Sequence, residues 1–238
     1  MNDICKKVLC GSFFEEIFKN STLKKTTTII SFVNPYSYSR LNKNKDKYLS
    51  IDYLFSDGAL FCFFFSLFFS RIKRASFDYS SIASNVFSYA QDNLLTIAII
   101  GANCSENKLA VNKISQRYEK LKIIYHRDGY LSNNDELDMI QELNNQKPDI
   151  ILIGMGTPKQ EDLSILLKDK LLFGSVIFTC GGFLSQTAIR DDYYYPIVKK
   201  LGLRWLQRMI MHDYVRKRVL YDYPKFIVDF TFDYLKRR

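Results

Sequence analysis

The sequence has few residues of the types that bind metal ions or form disulfides. Two histidines, His126 and His212, occur in 238 residues, and they do not have the spacing of metal ligands. The five cysteines are odd in number and form no Cys-x-x-Cys pair, and an Asp-x-Asp motif is also missing. This pattern argues against a zinc site and a disulfide framework and favours reduced thiols in a cytosolic protein. We therefore expect neither a metal ion nor another cofactor.

The signature motifs of several enzyme classes are also missing. No Gly-x-Gly-x-x-Gly follows the apolar run that ends at Gly101, so a dinucleotide-binding fold of the dehydrogenase kind is not supported. The phosphate loop Gly-x-x-x-x-Gly-Lys-Ser/Thr and the nucleophile elbow Gly-x-Ser-x-Gly do not occur. Any nucleotide site must therefore use another arrangement.

Long apolar runs are scarce. The N-terminus carries Asp3, Glu15 and Glu16 and has no long apolar run, so we expect no signal peptide. Residues 59–69 (ALFCFFFSLFF) are the one membrane-like segment, but eleven residues are fewer than the roughly 20 that a spanning helix needs. This segment is predicted to be a helix that is either buried in the core or placed at a membrane interface.

Charge points to an anionic partner. The formal net charge is +9 and the isoelectric point is about 9.2, which fits a phosphate group, a nucleic acid or an anionic lipid. No recognisable nucleic-acid-binding motif accompanies the charge, so nucleic acid is not expected as a partner.

Apolar runs and helical segments alternate through the middle of the chain. Such alternation predicts an open, parallel α/β sheet with ligands at the carboxyl ends of its strands. From about Tyr193 the pattern becomes helical, so we expect a sheet domain over residues 1–190 and a basic helical appendage over residues 191–238. The predicted strands cover residues 28–33, 94–100, 121–125, 149–153 and 176–180.

Residues 149–161 (DIILIGMGTPKQE) are the most informative stretch. An apolar strand leads into Gly154 and Gly156, which permit a tight turn and a close approach of a ligand to the backbone. Thr157 and Gln160 fit a capping box at the start of the next helix. Strand, glycine turn and capped helix together can direct backbone N–H groups at a phosphate, but the same residues can also serve only as a helix cap.

Further turn residues are expected at the same edge of the sheet. Asp57 follows a partly apolar run and precedes Gly58, which places a carboxylate where it could accept a proton from an attacking hydroxyl; a structural turn is the alternative. The other candidates at strand ends are Asn34, Gly101, Asp128, Tyr130, Gly181 and Gly182.

The C-terminal segment combines basic and aromatic residues. Residues 199–238 contain eleven lysines and arginines against four aspartates, interleaved with aromatic and aliphatic side chains. A basic face beside an apolar face favours a helix that lies on an anionic membrane, although helices packed on the core with a solvated basic face would look the same.

Taken together, these motifs resemble the WecG/TagA/CpsF family of bacterial glycosyltransferases. The similarity covers about residues 28–220, and the capsule-type branch is most similar. The segments that carry it are 34–37 (NPYS), 57–58 (DG), 74–78, Gly101, 128–130 (DGY), 148–161 (PDIILIGMGTPKQE), 181–182 (GG) and 203–208 (LRWLQR).

The resemblance implies a Rossmann-like fold and a metal-independent, inverting hexosyl- or N-acetylhexosaminyltransferase. Such an enzyme would move a sugar from a nucleotide diphosphate donor, usually UDP-linked, to a polyprenyl-diphosphate-linked saccharide. It would act in capsule, exopolysaccharide or teichoic-acid-like synthesis, peripherally on the cytoplasmic face of the cell membrane. A non-catalytic membrane-surface module that binds a nucleotide sugar or a partner is the alternative.

The resemblance also assigns roles. Asp57 matches the general base, Asn34 a nucleotide contact at a strand end, and Thr157 and Gln160 the donor-site loop. Without a metal ion, cationic side chains must offset the charge on the leaving diphosphate. The candidates are Arg74, Arg204, Arg208, Arg216 and Arg218.

Two segments depart from the family pattern. A Gly-Gly-Thr-Phe-Asp-type segment is common after the last strand, where this chain has residues 181–186 (GGFLSQ). The glutamate that usually precedes the tryptophan is Arg204 here. These changes concern the choice of donor sugar and acceptor rather than the class of reaction.

Overall fold

The computed structural model describes residues 3–24, 26–190, 195–201 and 204–236. Its centre is a seven-stranded sheet in which every pairing is parallel, in the order β1-β3-β2-β7-β6-β4-β5. The predicted α/β fold is confirmed. The strands are β1 Val8–Leu9, β2 Thr28–Val33, β3 Tyr53–Ser56, β4 Thr96–Gly101, β5 Lys122–Arg127, β6 Ile150–Gly154 and β7 Val176–Thr179.

Helices cover both faces of the sheet, and two apolar clusters of buried side chains fill the layers between them. A 3₁₀ turn at Gly11–Phe13 and a π-helical turn at Arg218–Asp222 complete the helical structure of the described residues. The α-helices are α1 Asp3–Lys7, α2 Phe14–Thr22, α3 Pro35–Lys43, α4 Lys45–Tyr48, α5 Ala59–Phe68, α6 Ala83–Asp92, α7 Cys104–Arg117, α8 Asn133–Gln146, α9 Lys159–Lys170, α10 Phe183–Ile189, α11 Pro196–Lys200, α12 Arg204–Met211, α13 Asp213–Lys217 and α14 Tyr223–Leu235.

The central strands are apolar runs because both of their faces are covered. Every residue of β2, β6 and β7 is buried, as expected for inner strands of a parallel sheet. The register of β4 on β6 places Gly101 beside Gly154. A Cβ on Gly101 would lie 2.3 Å from the carbonyl oxygen of Gly154, and its φ is +137°, so only glycine fits there.

Helix α6 begins later than the local sequence predicts. Serine and aspartate are favoured N-cap residues, so the sequence predicts a helix from Ser76 or Asp78 to about Tyr89, but α6 begins at Ala83. The reason is that the side chains of Ser76 and Asp78 are hydrogen-bonded to Arg74 instead.

The last helix is part of the core. Phe226 and Phe230 of α14 are buried and pack with Tyr38 of α3 and Phe61 of α5, at ring-centroid distances between 5.2 and 5.9 Å. Asp233 accepts a hydrogen bond from the Tyr38 hydroxyl at 2.8 Å. The predicted division of the chain near residue 190 remains a prediction, but α14 contributes to the packing of the sheet domain.

Residues 59–69 form a helix with one buried side and one exposed side, so the structure shows core packing and leaves membrane contact as a prediction. The helix there, α5, buries Phe61 and Phe65 and exposes Phe63 and Leu67. Within the described ranges, no helix has both the length and the hydropathy needed to cross a bilayer.

Candidate active site

A cleft of about 300 Å³ lies at the carboxyl ends of β3, β2, β7 and β6, and the C-terminal helices form one of its walls. This is the edge at which open parallel sheets bind ligands. Most of the predicted site residues come together there. Those that line the cleft are Asn34, Asp57, Arg74, Gly156, Thr157, Gln160, Gly181, Gly182, Arg208 and Arg218.

The remaining predicted residues do not line the cleft. Gly101 and Asp128 lie at the ends of β4 and β5, and a carboxylate oxygen of Asp128 accepts a hydrogen bond from the backbone N–H of Tyr130 at 2.8 Å. Tyr130 is exposed, and Arg216 is exposed on α13 and paired with Asp213. The side chain of Arg204 is outside the described part of the structure. Substrate binding by these residues remains a prediction.

Asp57 is held just after the carboxyl end of β3 by backbone and side-chain contacts. Its N–H donates to the carbonyl oxygen of Val33 at 2.8 Å, and its carboxylate lies 3.3 Å from the guanidinium of Arg74. Arg74 also contacts Asp78 at 2.6 Å. Burial opposes ionisation of Asp78, but Arg74 and the hydroxyl of Ser76 outweigh it and hold the pKa of Asp78 below its ordinary value. The pair of acids therefore fixes the position of Arg74 in the cleft.

The loop after β6 is built differently from the predicted capping box. Helix α9 begins at Lys159. Its N-cap residue is Pro158, so no side chain at the N-cap accepts a hydrogen bond from the first turn. The side-chain oxygen Oε1 of Gln160 instead accepts hydrogen bonds from the backbone N–H groups of Gly156 at 3.2 Å and Gly181 at 3.0 Å. The capping-box prediction was wrong because Gln160 ties the loops after β6 and β7 together. Those two N–H groups are consequently occupied rather than directed at a phosphate.

A buried carboxyl group is hydrogen-bonded to side chains of this loop. Glu161 is fully buried, and one of its oxygens accepts hydrogen bonds from Gln160 at 2.9 Å, Thr157 at 3.1 Å and Ser31 at 3.4 Å. The other oxygen has no hydrogen-bond partner. Burial raises the pKa of Glu161 to about 7, against an ordinary value of 4.5, despite these donors.

This shifted pKa predicts a pH-dependent stability. Between about pH 4.5 and 7 the native state holds a proton on Glu161 that the unfolded chain has lost. The free energy of unfolding should therefore fall as pH rises through this window, by about 3 kcal/mol in total. Glu161→Gln cannot titrate and should remove this part of the slope. Urea unfolding at several pH values measures the free energy of unfolding and therefore its slope against pH.

If Glu161→Gln keeps the wild-type slope, Glu161 does not titrate in this range.

Arg208 and Arg218, from the C-terminal helices, line the cleft. The guanidinium carbons of Arg218 and Arg40 lie 3.7 and 3.5 Å from the ring centroid of Tyr36. Two groups this close to one centroid must occupy opposite faces, so the ring of Tyr36 is sandwiched between them. Arg40 also pairs with Asp222 at 3.1 Å. The cleft end of α3 is thus joined to the segment that carries Arg218.

Several cleft residues were not among the predicted site residues. Tyr36, Ser76 and Asp78 lie within segments that carry the family resemblance, so their neighbours in sequence were the available signal. Trp205 likewise lies within the matched segment 203–208. Gln186 and Tyr223 are on helices whose facing side the sequence alone does not determine.

Comparison with known proteins shows which family the chain matches. The family model described as "Glycosyl transferase WecG/TagA/CpsF family" matches residues 9–238. A Shigella boydii protein named UDP-Gal:alpha-D-GlcNAc-diphosphoundecaprenol beta-1,4-galactosyltransferase is 43% identical over 215 residues, which are 90% of each chain. A Staphylococcus aureus (strain MW2) protein named N-acetylglucosaminyldiphosphoundecaprenol N-acetyl-beta-D-mannosaminyltransferase is 30% identical over 138 residues, 58% of this chain and 53% of the relative.

Proposed function

The chain belongs to the WecG/TagA/CpsF family of glycosyltransferases, and from this premise we propose that it transfers a sugar from a UDP-sugar to a polyprenyl-diphosphate-linked saccharide in surface-polysaccharide synthesis. The observation that supports this most strongly is the cleft itself. The carboxylate of Asp57 lines the same cleft as Arg74, Arg208 and Arg218. This cleft is at the edge of the sheet where ligands bind.

These residues fit the transfer step. The acceptor hydroxyl oxygen attacks C1 of the donor sugar while the bond from C1 to the diphosphate oxygen breaks. The hydroxyl proton passes to the Asp57 carboxylate, and UDP leaves with the bonding electrons. Attack from the side opposite the diphosphate inverts the configuration at C1. The guanidinium groups of Arg208 and Arg218 offset the charge that develops on the diphosphate, so the proposed step requires no metal ion.

The donor and the acceptor are proposed from the relatives' names. The Shigella boydii relative is named for transfer from UDP-galactose with a beta-1,4 linkage to GlcNAc-diphosphoundecaprenol. The same lipid-linked GlcNAc occurs in the name of the Staphylococcus aureus relative, which differs in the sugar transferred. A lipid-linked GlcNAc is therefore the first acceptor to test, and UDP-galactose is the first donor.

Calorimetric titration with UDP in the presence of EDTA tests the donor site. Micromolar binding by the full chain, weakened in Arg208→Ala, is the expected result. The titration is run with and without anionic vesicles so that a site completed by the membrane is also detected. Absence of binding in both conditions would contradict a UDP-sugar transferase. Binding of UDP without transfer to any acceptor would instead favour the non-catalytic module.

We also propose that the chain works on the inner face of the cell membrane, held by exposed basic residues of the C-terminal helices. Deleting everything after Ile189 would test this poorly, because it would remove Phe226 and Phe230 from the core. Lys225→Gln/Lys236→Gln changes only exposed side chains. At about 1 kcal/mol per basic residue near an anionic surface, this pair should lower partition onto anionic vesicles roughly 30-fold.

Lys108→Gln/Lys120→Gln removes the same charge from exposed positions on and just after α7 and should leave partition nearly unchanged. Co-sedimentation with vesicles measures both pairs. Equal losses for the two pairs would mean that only the net charge matters, and no loss for either would refute attachment through α14.

A further inference from the structure

Helix α5 has an exposed apolar stripe that begins at the cleft. The helix starts at Ala59, two residues after Asp57, and contains no charged residue. Ala59 lines the cleft, and Phe63 and Leu67 follow at helical spacing with 62% and 64% of their surfaces exposed. From Ala59 to Leu67 the stripe runs about 12 Å along the helix.

Packing inside the protein does not account for this stripe. The opposite side of α5 is already used, because Phe61 and Phe65 are buried there and Phe61 packs against Phe226 and Phe230. The exposed positions of a surface helix are ordinarily polar. Apolar side chains on both sides of α5 therefore indicate that the outer side faces a second apolar environment.

The neighbouring helix repeats the pattern. Phe68 of α5 contacts Phe230 and Tyr234 of α14, at ring-centroid distances of 6.0 and 4.8 Å. On the other side of α14, Val228 and Phe232 are more than half exposed. We call the exposed side chains of the two helices the apolar platform, which consists of Phe63, Leu67, Val228, Phe232 and Leu235.

Basic residues accompany the platform. Lys225 and Lys236 are exposed near the two ends of α14, and Arg71 and Lys73 are exposed just after α5. No acidic residue occurs between Asp57 and Asp78. Apolar side chains flanked by exposed lysines and arginines complement an anionic bilayer, which offers a hydrocarbon layer beneath negative headgroups. A protein partner of ordinary mixed charge would not require this combination.

We propose that the apolar platform inserts into an anionic bilayer, with α5 as a second membrane-binding element beside the C-terminal helices. This inference rests on the proposed function, in which the acceptor carries a polyprenyl chain. With α5 in the interface, the cleft opens next to the bilayer at Ala59. The sugar hydroxyl of the acceptor then reaches Asp57 while its hydrocarbon chain stays among the lipids.

The test uses the full chain and the variant Phe63→Ser/Leu67→Ser. Both side chains are exposed, so thermal unfolding should be close to that of the wild type. Leu109→Ser/Leu137→Ser is the matched control, because these leucines are 51% and 66% exposed on α7 and α8. Partition is measured by co-sedimentation with phosphatidylglycerol–phosphatidylcholine vesicles. Transfer is measured with a long-chain acceptor in those vesicles and with a short-chain, water-soluble acceptor.

The α5 variant should lose at least about 10-fold in vesicle partition, while the control keeps the wild-type value. Its transfer to the vesicle-borne acceptor should fall similarly, and its kcat with the soluble acceptor should not change. Unchanged vesicle partition would overturn the proposal. Light scattering checks self-association, and a dimeric wild type with a monomeric variant of unchanged partition would mean that a second copy covers the platform.

These outcomes are separable from the proposed function. If the wild type transfers no sugar to either acceptor but the partition difference persists, the catalytic proposal fails and the membrane platform stands. If transfer to the soluble acceptor is normal and partition is unchanged by the α5 substitutions, only the platform fails.

Discussion

Asp57→Asn is expected to retain UDP affinity within about twofold and to lose sugar transfer by roughly 10²- to 10⁴-fold, the usual contribution of a general base. Asparagine has nearly the same shape as aspartate, and its carbonyl oxygen can still face Arg74, which lies 3.3 Å from the native carboxylate. What the variant lacks is a group that accepts the acceptor hydroxyl proton. The loss should therefore appear in kcat rather than in donor binding.

The control for this substitution is Asp138→Asn on the exposed surface of α8, which should transfer at the wild-type rate. Steady-state kinetics and a UDP titration on each variant separate chemistry from binding. Full activity in Asp57→Asn would remove Asp57 from the role of base. A loss of UDP affinity equal to the loss of rate would assign Asp57 to positioning Arg74 instead.

Arg208→Ala and Arg218→Ala are each expected to lower kcat/KM by roughly 10²- to 10³-fold, as when a preorganised donor to a developing negative charge is removed. Arg208 and Arg218 both line the cleft, together with Gly156 and Gly181. Arg216→Ala is the matched control. Arg216 was also a candidate from the sequence, but it is exposed on α13 and paired with Asp213 rather than lining the cleft. We therefore expect Arg208 and Arg218, and not Arg216, to hold the diphosphate.

Transfer assays and UDP titrations on the three arginine variants distinguish a local role from net charge. We expect a large effect at positions 208 and 218 and an effect of less than about threefold at position 216. Equal losses at all three positions would show that the arginines act only through overall charge. Wild-type rates for Arg208→Ala and Arg218→Ala would leave the diphosphate without the proposed cationic partners.

The strands of the sheet could be predicted because their physical signal is local. Residues 28–33 and 176–180 are apolar and β-branched, and the structure has β2 at Thr28–Val33 and β7 at Val176–Thr179. The start of β4 was placed two residues early, since Leu94 is apolar but exposed and has a positive φ of 56°. The edge strand β1 has two residues, too few for any periodicity to appear.

Contacts between distant segments were less accessible from the sequence. The motif around Gln160 was recognised, but the side chain binds the N–H of Gly181, 21 residues away, rather than capping its own helix. The unusual environment of Glu161 depends on Ser31 and on complete burial, which no local pattern encodes. Likewise, the sequence could not decide that α14 would pack into the core while also exposing an apolar side.

The most direct test of the central claim is a transfer reaction with the purified full chain, UDP-galactose and a GlcNAc-diphospholipid acceptor in anionic vesicles, with EDTA present. We expect mass spectrometry to detect an acceptor extended by one sugar, together with released UDP, and we expect Asp57→Asn to abolish both. If UDP binds but no donor in a panel of UDP-hexoses and UDP-N-acetylhexosamines yields a product, the chain is a nucleotide-binding membrane module rather than a glycosyltransferase.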